Sequence, residues 1–119
     1  MFLLGLGSNL PSSHGDRFEN LNLAVKYLDS YKIKIIKKSS FYETASFPDI
    51  KNPKFINMVV HISTYLPPED LASVLIFIEE KLERKRKIKN EPRTCDIDII
   101  DYNYKIMNFS YKGSIFKVP

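Results

Sequence analysis

Residues 55–65 form the clearest period-two stretch in the chain, and they constrain its architecture most. Ile56, Met58, Val60 and Ile62 fall on one side, and Phe55, Asn57, Val59 and His61 on the other. That alternation predicts a strand with one buried face, and a sheet buried on one face needs helices to cover it. Two segments have the matching 3.6-residue periodicity. In residues 16–29, Phe18, Leu21, Ala24, Val25 and Leu28 make one apolar stripe. The second helix opens at Pro67-Pro68-Glu69-Asp70, with proline in the first turn and acids at the positive end of the dipole. Its stripe is Leu71, Val74, Leu75, Ile78 and Leu82, with Glu79 at the border.

Three further strand segments complete the pattern. Residues 2–6 run into Gly7-Ser8-Asn9. Residues 32–36 and 39–44 read as one strand broken by a bulge near Lys37-Lys38. Residues 95–100 alternate isoleucines with aspartates. Prolines 48 and 53 mark residues 45–54 as a loop. The order strand, helix, strand, strand, helix, strand predicts an α/β (α+β) chain with a ferredoxin-like βαββαβ sandwich. The first and last strands are expected side by side at its centre. Residues 101–106 and 109–111 suggest a small hairpin, and the chain then ends on the apolar 116–119.

The length of 119 residues suits one domain, 1–119, with a genuine core. A net charge of +4 favours an anionic partner without choosing one. A single cysteine, Cys95, excludes an internal disulfide framework and fits a reducing compartment. The apolar start is too short to span a membrane and lacks a basic leader, so the cytoplasm is expected. Gly5 and Gly7 do not make a dinucleotide fingerprint, because position 10 is Leu10.

The chemistry concentrates in Pro92-Arg93-Thr94-Cys95-Asp96-Ile97-Asp98-Ile99-Ile100. On a strand, Asp96 and Asp98 project from the same face, their Cα atoms roughly 6–7 Å apart. Two carboxylates so close repel unless one is protonated or a cation intervenes. A hard cation such as Mg²⁺ suits them, and it recruits phosphates. Solvated or turn-capping aspartates follow the same pattern, so the pattern alone does not decide. Arg93 offers a bidentate donor for a phosphate. The basic run 84–90 is either a solvated surface or a source of countercharge for a triphosphate. Phe55 and Asn57 would hold a flat polar heterocycle, or else belong to a half-exposed sheet face.

Taken together, Gly5-Leu6-Gly7-Ser8-Asn9, Ser39-Ser40-Phe41-Tyr42-Glu43-Thr44, Phe55-Ile56-Asn57, Ile78-Glu79, Arg84-Lys85-Arg86 and the 92–100 motif resemble the 6-hydroxymethyl-7,8-dihydropterin pyrophosphokinase family. The resemblance spans essentially the whole chain. It implies pyrophosphoryl transfer from ATP to the pterin's hydroxymethyl oxygen, releasing AMP, in folate synthesis. Asp96 and Asp98 would bind two Mg²⁺ ions with ATP. Arg84 and Arg93 would assist transfer, Arg84 from a mobile loop. Glu79, Arg84, Arg86, Arg93 and Ile99 would form the ATP site, and Thr44, Phe47, Phe55 and Asn57 the pterin site. The resemblance also shows departures. Glu83 stands where the family usually has glycine, and Ala45 where proline is common. The loop between Arg86 and Pro92 is a residue short. The family continues past Val118-Pro119 with a histidine, an arginine, a second stacking aromatic and a helix, so a C-terminally shortened domain is expected.

Three functional classes follow. One is the pyrophosphokinase. Another is a non-catalytic module that still binds nucleotide or pterin. The third, a basic RNA-binding sheet, is opposed by the two aspartates on the sheet. Neither nucleic acid nor membrane is expected as a partner. A monomer is expected, with self-association through the shortened end left open.

Overall fold

The period-two segments pair in the computed structural model, which describes residues 1–46, 49–85 and 92–119. Strand β1 (Phe2–Ser8) lies between β4 (Phe55–Ser63) and β5 (Asp96–Tyr102), antiparallel to both. Strand β2 (Lys34–Lys38) adds outside β4, giving the order β2-β4-β1-β5. Strand β3 (Tyr42–Thr44) continues along the same edge of β4, opposite Phe55 to Asn57. Helices α1 (Arg17–Ser30) and α2 (Pro68–Lys81) supply the crossovers. This is the ferredoxin-like arrangement expected, with one correction. The last strand does lie beside the first, but the central pair is β1 and β4, and β5 flanks them. Local alternation reveals a strand's faces but not its rank in the sheet, which depends on long-range pairing.

Buried Leu4, Leu6, Ile56, Met58, Val60, Ile62, Ile97 and Ile99 make the core side of the sheet. Leu21, Ala24 and Leu28 of α1, with Leu71, Leu75 and Ile78 of α2, pack in the same cluster. Helix α1 starts on a full capping box: Asp16 accepts from the Glu19 N–H, and the Glu19 side chain accepts from the Asp16 N–H. Phe18 departs from the expected stripe. It is exposed and meets Phe41 edge-on at 5.1 Å. Buried Asn20 occupies the inner face instead, donating to the Leu10 carbonyl at 3.0 Å.

Two bulges adjust the sheet. In the β2–β4 ladder the register slips between Ile35 and Lys37, one residue before the expected place. In the β1–β5 ladder, Leu4 faces Ile99 but Leu3 faces Asp101, leaving Ile100 unmatched. The slip reverses the alternation. After Ile97 and Ile99, it is Tyr102 that turns inward, edge-on to Phe2 at 4.9 Å.

The expected small hairpin lies further on. Residues 103 and 104 turn the chain with φ of 52° and 64°. Strands β6 (Met107–Tyr111) and β7 (Ser114–Val118) then pair around Lys112-Gly113, both with positive φ, as a two-residue hairpin turn requires. The apolar chain end is therefore a strand. Val118 is buried in the main core, and Phe116 and Met107 pack against it. Among the described residues, no helix is long and apolar enough to cross a membrane.

Candidate functional site

The face of the sheet turned away from the helices carries the chemistry. Asp96, Asp98 and Ile100 of β5 share a parity on that face with Gly5 and Gly7 of β1, while Phe55 and Asn57 of β4 and Tyr42 and Thr44 of β3 lie beyond them. Two clefts meet at Asp96 and Asp98, a smaller one on this face and a larger one that reaches round β5 to the core-side Ile97 and Ile99. The smaller, about 390 Å³, has Gly5 and Gly7 as its floor and Thr44, Phe55, Asn57 and Ile100 among its walls. The larger, about 600 Å³, runs from Glu79 and Arg84 across Ile97 and Ile99 to Ser114–Lys117 of β7. Arg93, Asp96 and Asp98 line both.

Glycine makes the smaller floor possible. A β-carbon on Gly7 would stand 3.0 Å from Asn57 Oδ1 and 3.4 Å from the Phe55 ring. Asn57 is held in place by its own amide, which donates to Thr44 Oγ1 at 2.8 Å and to the Tyr42 carbonyl at 3.3 Å. Its Oδ1 faces the floor.

Charges on the other side are tightly interlocked. The buried Glu79 carboxylate accepts from the Ile97 N–H at 2.8 Å and from Arg84 Nη1 at 2.6 Å. Arg84 Nη1 also reaches Asp96 Oδ1 at 2.9 Å, and Arg93 Nη1 lies 3.5 Å from Asp96 Oδ2. Among the described residues, no cation clamps Asp98 in this way. Desolvation in the cleft, then the charge of Asp96, push its carboxyl up to about 6, against the opposing pull of Arg84 and Arg93. Burial, with Asp96 adding to it, pushes the Cys95 thiol up to about 12, so Cys95 is a packing residue and not a nucleophile.

The donor set suits a hard cation. Among the described residues no cluster of three or more His, Cys, Asp or Glu side chains could cage a metal. Two same-face carboxylates, one of them destabilised by the other, fit Mg²⁺ completed by water and phosphate oxygens. They do not fit a closed zinc site.

The expected site residues fall into two groups. Thr44, Phe55 and Asn57 line the smaller cleft, and Glu79, Arg84 and Ile99 the larger. Arg84 lies three residues past Lys81, the last residue of α2, and is held by Glu79 and Asp96. Phe47 and Arg86 lie outside the described residues.

Asn9 was not singled out from the sequence. Its N–H donates to the Arg93 carbonyl at 3.0 Å, and its Oδ1 accepts from the Arg93 N–H at 2.7 Å. Its amide donates to Ser46 Oγ and the Pro53 carbonyl, both at 3.0 Å. One buried side chain thus ties the approach to β5 to the loop beyond β3. The available signal was an amide immediately after a glycine-rich strand end, where backbone groups need partners. Tyr42, Ile100 and residues 114–117 were also missed as cleft walls.

Comparison with known proteins bears on the family. A family model described as 7,8-dihydro-6-hydroxymethylpterin-pyrophosphokinase matches residues 3–119. The chain is similar to the 2-amino-4-hydroxy-6-hydroxymethyldihydropteridine pyrophosphokinase of Bacillus subtilis, 38% identical over 101 residues, covering 84% of this chain and 58% of that protein. It is 35% identical over 104 residues to the protein of the same name from Campylobacter jejuni, covering 87% and 64%. It is 41% identical over 101 residues to the bifunctional protein FolKE of Lactococcus lactis, covering 84% and 28%. The chain thus spans less than two thirds of the length of each of these three relatives.

Proposed function

The chain belongs to the 7,8-dihydro-6-hydroxymethylpterin-pyrophosphokinase family, and from that premise we propose that it transfers pyrophosphate from ATP to 6-hydroxymethyl-7,8-dihydropterin in folate synthesis. The observation that carries this reading is the position of Asp96 and Asp98 on the wall common to two clefts.

ATP occupies the larger cleft, with its phosphates directed at that wall. The pterin lies in the smaller cleft, its ring against Phe55 and its polar edge on Asn57, with Thr44 fixing the amide. The hydroxymethyl oxygen then forms a bond to the β-phosphorus. The bond from that phosphorus to the α,β-bridging oxygen breaks, and AMP leaves with that oxygen. The hydroxyl proton goes to solvent. Asp96 and Asp98 would hold Mg²⁺, two ions with ATP, which when bound neutralises phosphate charge. Arg93, on the wall of both clefts, holds the transferred group in line, and Arg84 adds positive charge beside Asp96. Positioning and neutralisation supply most of what phosphoryl transfer demands. Phe47 would complete the pterin site and Arg86 the ATP site. The chain acts as one domain and a cytoplasmic monomer.

The test is AMP release from ATP, Mg²⁺ and the hydroxymethyl-dihydropterin. One AMP per pterin diphosphate is expected, and Asp96→Ala or Asp98→Ala should abolish Mg²⁺-dependent binding of an unreactive ATP analogue with little loss of fold. Clear analogue and pterin binding without AMP would favour a non-catalytic binding module. Unchanged analogue affinity in both variants would refute the metal role.

A further inference from the structure

Helix α2 ends in a motif whose key position normally favours glycine. The Arg84 N–H donates to the Glu79 carbonyl at 3.0 Å, and the Glu83 N–H to the Glu80 carbonyl at 2.9 Å. This is the Schellman pattern, and it requires a left-handed residue at the first position past the cap. That residue is Glu83, with φ of 68°. A side chain disfavours this backbone, so something must hold it there.

The Glu83 carboxylate has the needed contacts. It accepts from the Ser13 N–H at 2.9 Å and from the Ser13 hydroxyl, and His14 Nε2 lies 3.7 Å away. Those donors hold its carboxyl below the usual range. The same turn touches α2 a second time, His14 Nε2 lying 3.1 Å from the Lys81 carbonyl.

The turn itself is firmly anchored. Ser12 and Gly15 exchange backbone bonds at 2.9 and 3.2 Å, and Ser12 Oγ donates to buried Asn20 at 2.6 Å. The Glu83 carboxylate therefore fastens the exit of α2 to the turn that follows β1. The residue immediately past this fastening is Arg84, whose guanidinium lies against Asp96.

We propose that the Ser13–Glu83 latch positions Arg84, holding its guanidinium beside the carboxylates at the wall shared by the two clefts. Glu83 touches no reacting atom in this role, and its purpose rests on the functional reading above.

Two measurements test this, one independent of turnover. In ¹⁵N spectra, with the Arg84 Nε–Hε signal assigned through Arg84→Lys, its exchange with water should quicken about tenfold in Glu83→Gly. Equal exchange in wild type and Glu83→Gly overturns the latch. In the AMP assay, Glu83→Gly and Ser13→Ala should lower kcat roughly tenfold, with KM for ATP within about twofold. Glu83→Gln, which keeps an acceptor for Ser13, should recover most of the rate. Glu83→Gly relieves the left-handed strain, so its Tm should not fall. A purely structural role predicts unimpaired kcat in that variant, and that result overturns the proposal. If wild type makes no AMP, the functional reading fails, and the latch stands or falls on the exchange measurement.

Discussion

Glu79 offers the sharpest quantitative test of how the site is braced. Its carboxylate is 3% exposed and, among the described residues, serves the Ile97 N–H of β5 and the guanidinium of Arg84. Replacing Glu79 by alanine removes one partner of a buried ion pair, a change that costs about 3–5 kcal/mol. Arg84 is 13% exposed and keeps Asp96 at 2.9 Å, so the lower end of that range applies. The Ile97 N–H also loses its carboxylate acceptor, and an unmet buried donor costs about 1–3 kcal/mol by itself. The expected loss for Glu79→Ala is therefore at least about 3 kcal/mol, a large share of the ~5–15 kcal/mol that holds a small domain together. Glu79→Gln retains a carbonyl acceptor for one donor but loses the charge, and should cost about 1–2 kcal/mol. Urea unfolding followed by circular dichroism reads both. With a slope of ~1.5 kcal/mol/M, the alanine variant's midpoint should drop by about 2 M or more at unchanged slope. A shift under ~0.3 M for Glu79→Ala would show that neither contact bears on the folded state, and the account of how α2 is tied to β5 would be wrong.

Three further outcomes are expected. Asp98 binds its proton more tightly folded than unfolded, its carboxyl lying at about 6 in the fold against ~3.9 in a model peptide. Its contribution to stability is therefore complete below about pH 4 and is lost as pH rises toward 6. Unfolding free energy across that window should decline more in wild type than in Asp98→Asn without metal, and Mg²⁺ should lessen the difference. Identical slopes for the two proteins count against the shift. Gly7→Ala should raise KM for the pterin roughly tenfold with KM for ATP nearly unchanged, because the new methyl meets Asn57 Oδ1 and Phe55; equal effects on both substrates would contradict the assignment of the smaller cleft. Among the described residues the buried Thr94 hydroxyl has no hydrogen-bond partner, so Thr94→Val should be neutral or stabilising by up to ~1 kcal/mol, and a loss above that in thermal unfolding would reveal a partner.

Much of the fold was legible because its information is local. The alternation in residues 55–65 dictated a one-sided sheet, and Leu4, Leu6, Ile97 and Ile99 fall inward as period two requires. The same arithmetic put Asp96 and Asp98 on one face. What escaped the sequence depends on partners distant along the chain. The position of β5 is decided by pairing with β1, some ninety residues earlier in the chain, which no local pattern encodes. Phe18 matched the apolar period of α1 yet lies outside, since Asn20 found a carbonyl at Leu10 and took the inner position. The apolar end was legible as composition but not as a strand, because its partner is the neighbouring β6 and its burial comes from a core built elsewhere. Glu83 read only as a departure from a family pattern. Its meaning required seeing Ser13 arrive from seventy residues away.

The unmatched Ile100 has a consequence for how this region can change. Upstream of it, β5 gives its odd-numbered side chains to oil and its even-numbered ones to water; downstream the assignment inverts, and Tyr102 enters the interior with its hydroxyl donating to the Leu66 carbonyl. Excising that one residue would straighten the ribbon yet leave Asp101 toward water and the phenol against Phe2, because Ile99, Asp101 and Tyr102 would then meet Leu4, Leu3 and Phe2 in unbroken alternation. The interval between Asp98 and Tyr102 can therefore shrink by one without turning either side chain over, whereas a second added residue would send the phenol outward.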